Sequence, residues 1–95
     1  MDRNGKLVGA GNFHAQAQPT FENLKAALQA SGASFDNVVK LKGYFVDMTQ
    51  LPVFRELRDK YINTSAPPAS TAVGVAGLFR EGFLVEVEAV AVVPE

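Results

Sequence analysis

The segment LVEVEAVAVV, residues 84–93, sets two carboxylates where chemistry could use them. Neighbouring side chains of a strand point to opposite faces, so Leu84, Glu86, Glu88, Val90 and Val92 share one face and Val85, Val87, Ala89 and Ala91 the other. Two like charges two residues apart repel modestly, and each needs a donor, a water or a proton. Amid apolar neighbours, that suits a partly buried carboxylate at a pocket or subunit interface, able to move a proton. It also suits an exposed sheet face with ion pairs, the ordinary place for acids on a strand. Other reactive side chains offer less. His14 falls at the front of a helix with no acid implied beside it, and is expected at the surface. Tyr44 and Tyr61 are expected to pack with their hydroxyls outward. Ser70 has no adjacent His to make it a nucleophile, and the glycines at 9 and 11 lack the Gly-Lys-Ser/Thr of a phosphate loop.

The elements that must hold these residues belong to a chain of 95 residues, read as one domain over residues 1–95. Such a chain buries roughly two-thirds of its unfolded surface, little enough that an oligomer interface matters to its stability. Hydrophobic residues make up 47% and charged residues 20%, which fits a packed core rather than a disordered tract. Nine Lys and Arg against ten Asp and Glu leave a net charge of −1, with no field to draw nucleic acid or anionic lipid. Without cysteine and with one histidine, no disulfide, thiolate or multi-His zinc site is available. The opening residues lack the apolar core of a signal peptide and no run reaches membrane-span length, so no membrane association and a cytoplasmic location are expected.

Asn4-Gly5 is a turn dipeptide, and residues 6–8 read as the returning half of a hairpin. Asn12 can cap a helix to about Ser31, with Phe21, Leu24, Ala27 and Leu28 at helical spacing and Gly32 as its stop. Pro19 either kinks that helix or restarts it. Residues 34–37 read as a capped turn, and residues 38–46 as a half-exposed strand with Val39, Leu41, Gly43 and Phe45 on one face. A second helix comes next, with Thr49 as N-cap, Pro52 in its first turn and Leu51, Phe54, Leu57 and Tyr61 as its stripe, ending near Asn63. Residues 70–78 and 83–93 read as two further strands, joined as a hairpin through residues 79–82. The order strand, helix, strand, helix, strand, strand predicts an α+β sheet with helices on one face.

The stretches NGKLVGAGNFHAQAQPTFENLKAALQASGASFDNVVKLKGYFVDM, PPASTAVGVAGL and LVEVEAVAV resemble the RidA/YjgF family, also called the endoribonuclease L-PSP family, over nearly the whole chain. The resemblance implies a chorismate-mutase-like α+β fold, with a mainly antiparallel sheet and two helices packed on one face. It also implies a homotrimer with small-molecule pockets between subunits, and hydrolysis of reactive enamines and imines to carbonyl compounds and ammonia without metal or organic cofactor. It places the water-activating carboxylate at Glu86 and the second Glu of the motif at Glu88. It further implies that this chain is short at its N-terminus by two strands.

Where the family's Pro-Ala-Arg-Ser segment carries the arginine that holds a substrate carboxylate, this chain reads Pro68-Ala69-Ser70-Thr71. A serine donates one neutral hydrogen bond, so it forgoes charge-assisted bonds of roughly 1.5–3 kcal/mol each, and an altered substrate is expected. Arg55, on the second helix where relatives carry a pocket Asn, is a candidate replacement cation, and Arg80 a weaker one. The candidate catalytic residue is therefore Glu86, and the candidate substrate-binding residues are Ser70, Ala72 and Arg55. A non-catalytic trimeric protein of the same fold, binding a small molecule or a partner, is the alternative. An RNase role is unsupported by the net charge and by any histidine pair.

Overall fold

The computed structural model describes residues 12–79 and 81–93. The half-hairpin at residues 4–8 and Arg80 lie outside them. Helix α1, Phe13–Ala30, starts where the Asn12 side chain accepts the Ala15 N–H at 3.0 Å. It ends at Gly32, whose φ of 78° lets the Ala33 N–H return to the Leu28 carbonyl at 2.8 Å. A single helix runs through Pro19. Its inner face buries Phe13, Gln16, Ala17, Phe21 and Leu28, with Leu24 packed against the core; Ala27 is exposed.

A short 3₁₀ turn at Phe35–Asn37, capped reciprocally by Ser34 and Asn37, delivers the chain into strand β1, Val38–Phe45. Period-2 alternation holds from Lys40 onward, burying Leu41, Gly43 and Phe45. An irregularity between Val38 and Lys40 shifts the register, so Val38 rather than Val39 turns inward. Asp47, not Thr49, caps the next turn: its carboxylate takes both the hydroxyl and the N–H of Thr49, which hold its pKa below the ordinary value. That 3₁₀ turn, Met48–Gln50, leads into helix α2, Leu51–Arg58, which stops short of Asn63.

Strands β2, Ala69–Gly74, and β3, Val85–Ala91, complete a sheet of order β2-β1-β3. β1 pairs with β2 in parallel and with β3 antiparallel, so the sheet is mixed among the described residues. The two last strands therefore do not form the expected hairpin. Each takes one edge of β1, and the connection crosses the end of β1 rather than folding β3 back on β2. Both helices cover the same face. Phe45 meets the Phe54 ring edge-on at 4.8 Å and Phe21 stacks on Tyr61 at 5.1 Å, which locks α1 and α2 onto the centre of the sheet. The opposite face carries Lys40, Lys42 and Tyr44 from β1, Thr71 and Val73 from β2, and Glu86, Glu88 and Val90 from β3.

Candidate active site

β3 distributes its side chains as alternation predicts. Val85 is buried, and Val87, Ala89 and Ala91 pack against the core beneath the helices. Glu86 and Glu88 point to the helix-free face, where Glu86 is half-buried and Glu88 exposed. Glu86 is the more enclosed because the loop before β3 passes over it: the Phe79 N–H lies 3.5 Å from its Oε1, a long contact. It lines a cleft of about 570 Å³ along the β3 edge away from β1, bounded also by Thr20 and Leu24 of α1 and by Phe79 and Phe83. Phe79 is 81% exposed, a large apolar ring left at the rim.

Gln16 fixes the geometry of this corner. Its side chain is 3% exposed, donates from Nε2 to the Gly82 carbonyl at 3.0 Å and accepts the Leu84 N–H at Oε1 at 2.8 Å. One amide thereby stands in for a strand partner just before β3 begins, and ties α1 to the chain two residues ahead of Glu86. Sequence reasoning missed it. A Gln within an apolar helical stripe was the available signal, since a buried amide must find partners for both its donor and its acceptor.

Ser70 and Ala72 pair with Leu41 and Gly43, so their side chains point to the helix-covered side of the sheet, opposite to Glu86, which pairs with Tyr44. Two strand spacings and three residues of register put the Cα atoms of Ser70 and Glu86 roughly 14 Å apart. One chain thus brings Ser70 and Ala72 together but does not bring them to Glu86. Arg55 is exposed on α2. The α2 arginine that touches Ser70 is Arg58, whose Nη1 lies 3.3 Å from the Ser70 Oγ. A helical-wheel count carries that signal: at 100° per residue Arg58 falls about 45° from the centre of the stripe of Leu51, Phe54, Leu57 and Tyr61, and Arg55 about 105°.

Known proteins share this architecture. The Endoribonuclease L-PSP family matches residues 1–93. The chain belongs to that family, the RidA/YjgF family. It is 35% identical over 88 residues to a RutC family protein of Synechocystis, a match covering 93% of this chain and 67% of the relative. It is 38% identical over 89 residues to a 2-iminobutanoate/2-iminopropanoate deaminase of Mus musculus, covering 94% of this chain and 64% of that protein. Among solved structures, one of a protein of unknown function of the conserved Rid family from Yersinia pestis superposes with a TM-score of 0.87 at 33% identity, covering 95% of this chain and 69% of the other. The chain thus spans about two-thirds of the length of these relatives. The α+β Rid fold implied by the resemblance along the chain is the fold observed. Among the described residues no helix is long and apolar enough to cross a membrane.

Proposed function

We propose that this chain hydrolyses reactive imines or enamines to a carbonyl compound and ammonia, without metal or organic cofactor, in pockets between the subunits of a cytoplasmic homotrimer. The observation that carries the reading is Glu86: a half-buried carboxylate at the wall of a mostly apolar cleft. A carboxylate so placed can take a proton from water as the oxygen attacks the C=N carbon, giving a carbinolamine. That first proton goes to nitrogen; the carboxylate then takes the hydroxyl proton of the carbinolamine and passes it to the amine, so the C–N bond breaks as the C=O forms, one water is consumed and one ammonia leaves. Relatives named as 2-iminobutanoate/2-iminopropanoate deaminases support the substrate class.

The separation of Ser70 from Glu86 supports the oligomer. Ser70 lies roughly 14 Å from Glu86 and Ala72 roughly 10 Å, both on the opposite face of the sheet, so a pocket that uses them with Glu86 draws them from two copies. The helix-free face has apolar surface to bury in such contacts, since Val90 is 49% exposed. Arg55 would reach such a pocket only from the outer surface of α2.

The neutral Ser70 favours one second reading, a non-catalytic binding protein that kept the fold. Ammonia release from 2-aminoacrylate and 2-iminobutanoate, generated in place by an amino acid dehydratase, separates the two. Acceleration by the native chain and its loss in Glu86→Ala establish the hydrolase. A folded native assembly that is inert while Ser70→Arg is active establishes the binding protein.

A further inference from the structure

We infer that the cleft beside Glu86 is an apolar subsite built on Phe79 and Phe83, and that its substrates are imines or enamines carrying a large apolar substituent, best an aromatic one, on the C=N carbon. The inference rests on the hydrolase reading proposed above and names the substrate class of that site.

The phenylalanines of this chain fall into two sets. Five of the seven, Phe13, Phe21, Phe35, Phe45 and Phe54, are buried, and each meets another aromatic ring in the core. The other two, Phe79 and Phe83, join none of those ring pairs among the described residues, and both line the cleft that holds Glu86. One exposed apolar side chain is ordinary on a protein surface. Two aromatic rings set apart from the core, on the wall of one cleft beside a half-buried carboxylate, make a binding surface.

Phe79 is tied to the reacting group. Its N–H lies 3.5 Å from Glu86 Oε1, so the segment that covers the carboxylate also carries the ring. The residue is 81% exposed and therefore has most of its apolar surface to give to a ligand. Phe83 is half-buried and directly precedes Leu84, whose N–H Gln16 holds at 2.8 Å. Leu24 of α1 and Val85 and Val87 of β3 complete the apolar lining. The cleft's volume of about 570 Å³ lies within the range of roughly 300–1,000 Å³ that encloses drug-sized ligands, far more than 2-iminobutanoate fills. With its C=N carbon at Glu86, so small a substrate leaves the Phe79 ring in water. A benzyl substituent covers it and gains aromatic contacts beyond simple burial.

Phenylpyruvate and 2-oxobutanoate share their keto and carboxylate groups and differ only in the substituent, so calorimetric titration of the full chain with each tests the subsite. Turnover of the matching imines, generated in place by an amino acid oxidase with catalase to remove peroxide, is measured beside it. The native chain is expected to bind phenylpyruvate roughly tenfold or more tightly than 2-oxobutanoate. Phe79→Ala is expected to cut that preference to roughly threefold or less and to leave 2-oxobutanoate unchanged, whereas Phe79→Tyr keeps the ring and the preference. In turnover, Phe79→Ala should raise KM for the benzyl imine with little change in kcat, because the substituent is covered equally in ground and transition states. Its melting temperature and sedimentation should match the native chain, since the ring it removes is exposed. Equal native affinity for the two acids, no binding of phenylpyruvate at millimolar concentration, an equal loss of both in Phe79→Ala, or dissociation of that variant's assembly would overturn the subsite. Phe79-dependent binding of phenylpyruvate by a native chain that accelerates neither imine refutes the hydrolase reading and leaves the subsite. Turnover abolished by Glu86→Gln but indifferent to the substituent does the reverse.

Discussion

Replacing Gln16 with leucine removes two hydrogen bonds at one stroke and keeps the helix, because Gln and Leu have similar helix propensity. The bonds are short, 3.0 Å to the Gly82 carbonyl and 2.8 Å from the Leu84 N–H, and the side chain is 3% exposed. Each bond contributes about 1 kcal/mol net, and an orphaned buried group adds roughly 1–3 kcal/mol. Gly82 is exposed, so water can take over its carbonyl; Leu84 is partly buried, so its N–H bears most of the penalty. Against this stands about 1 kcal/mol from the more apolar leucine side chain. The balance is a destabilisation of about 2 kcal/mol. In urea, where a chain of this size unfolds with a slope of about 1 kcal/mol per molar, the midpoint should fall by about 2 M. The corresponding drop in melting temperature is roughly 8–16 °C. Measurement at one fixed protein concentration is required, since association would add its own stabilisation. A midpoint shift below about 0.5 M would refute the argument that Gln16 serves as the missing strand partner at the start of β3. The variant should also loosen Glu86, two residues beyond Leu84, and so lower turnover more than stability alone explains.

Gly43→Ala would set a Cβ 2.9 Å from Cζ of Phe45 and 3.1 Å from Cε1 of Phe54, two rings already packed edge to face, so calorimetry should show a loss of about 1–3 kcal/mol. The Tyr61 pKa is pushed up to about 12 by desolvation and by the hydrogen bond with the Glu22 carboxylate. A raised folded-state value means the associated stability is fully present below pH 10 and is lost as the pH climbs through 12; an ultraviolet phenolate titration should show that late step, and Tyr61→Phe should remove it. Val90→Lys changes a side chain that is 49% exposed on the helix-free face, so the protomer should stay folded by circular dichroism while sedimentation shifts toward monomer. Unchanged sedimentation would refute an interface on this face of the sheet.

Local pattern carried much of this molecule. The 3.6-residue stripe of α2 and the caps at Asn12 and Ser34 act within a turn or two of chain, so the sequence states them directly. The same holds for the period-2 alternation that turns Glu86 away from the helices, because the pleat alone dictates it. Three stretches spanning nearly the whole chain, the β3 motif among them, also placed it in its family. Strand order was not legible. The residues joining β2 to β3 look like a hairpin loop, yet both strands pair with β1, since loop composition says nothing about which free edge offers the better partner. The remaining decisive contacts are long-range. Gln16 and Leu84 meet across 68 positions, and Arg58 reaches Ser70 across 12. No propensity encodes such meetings, because they exist only once the helices have packed on the assembled sheet and fixed where each polar group must find its partner.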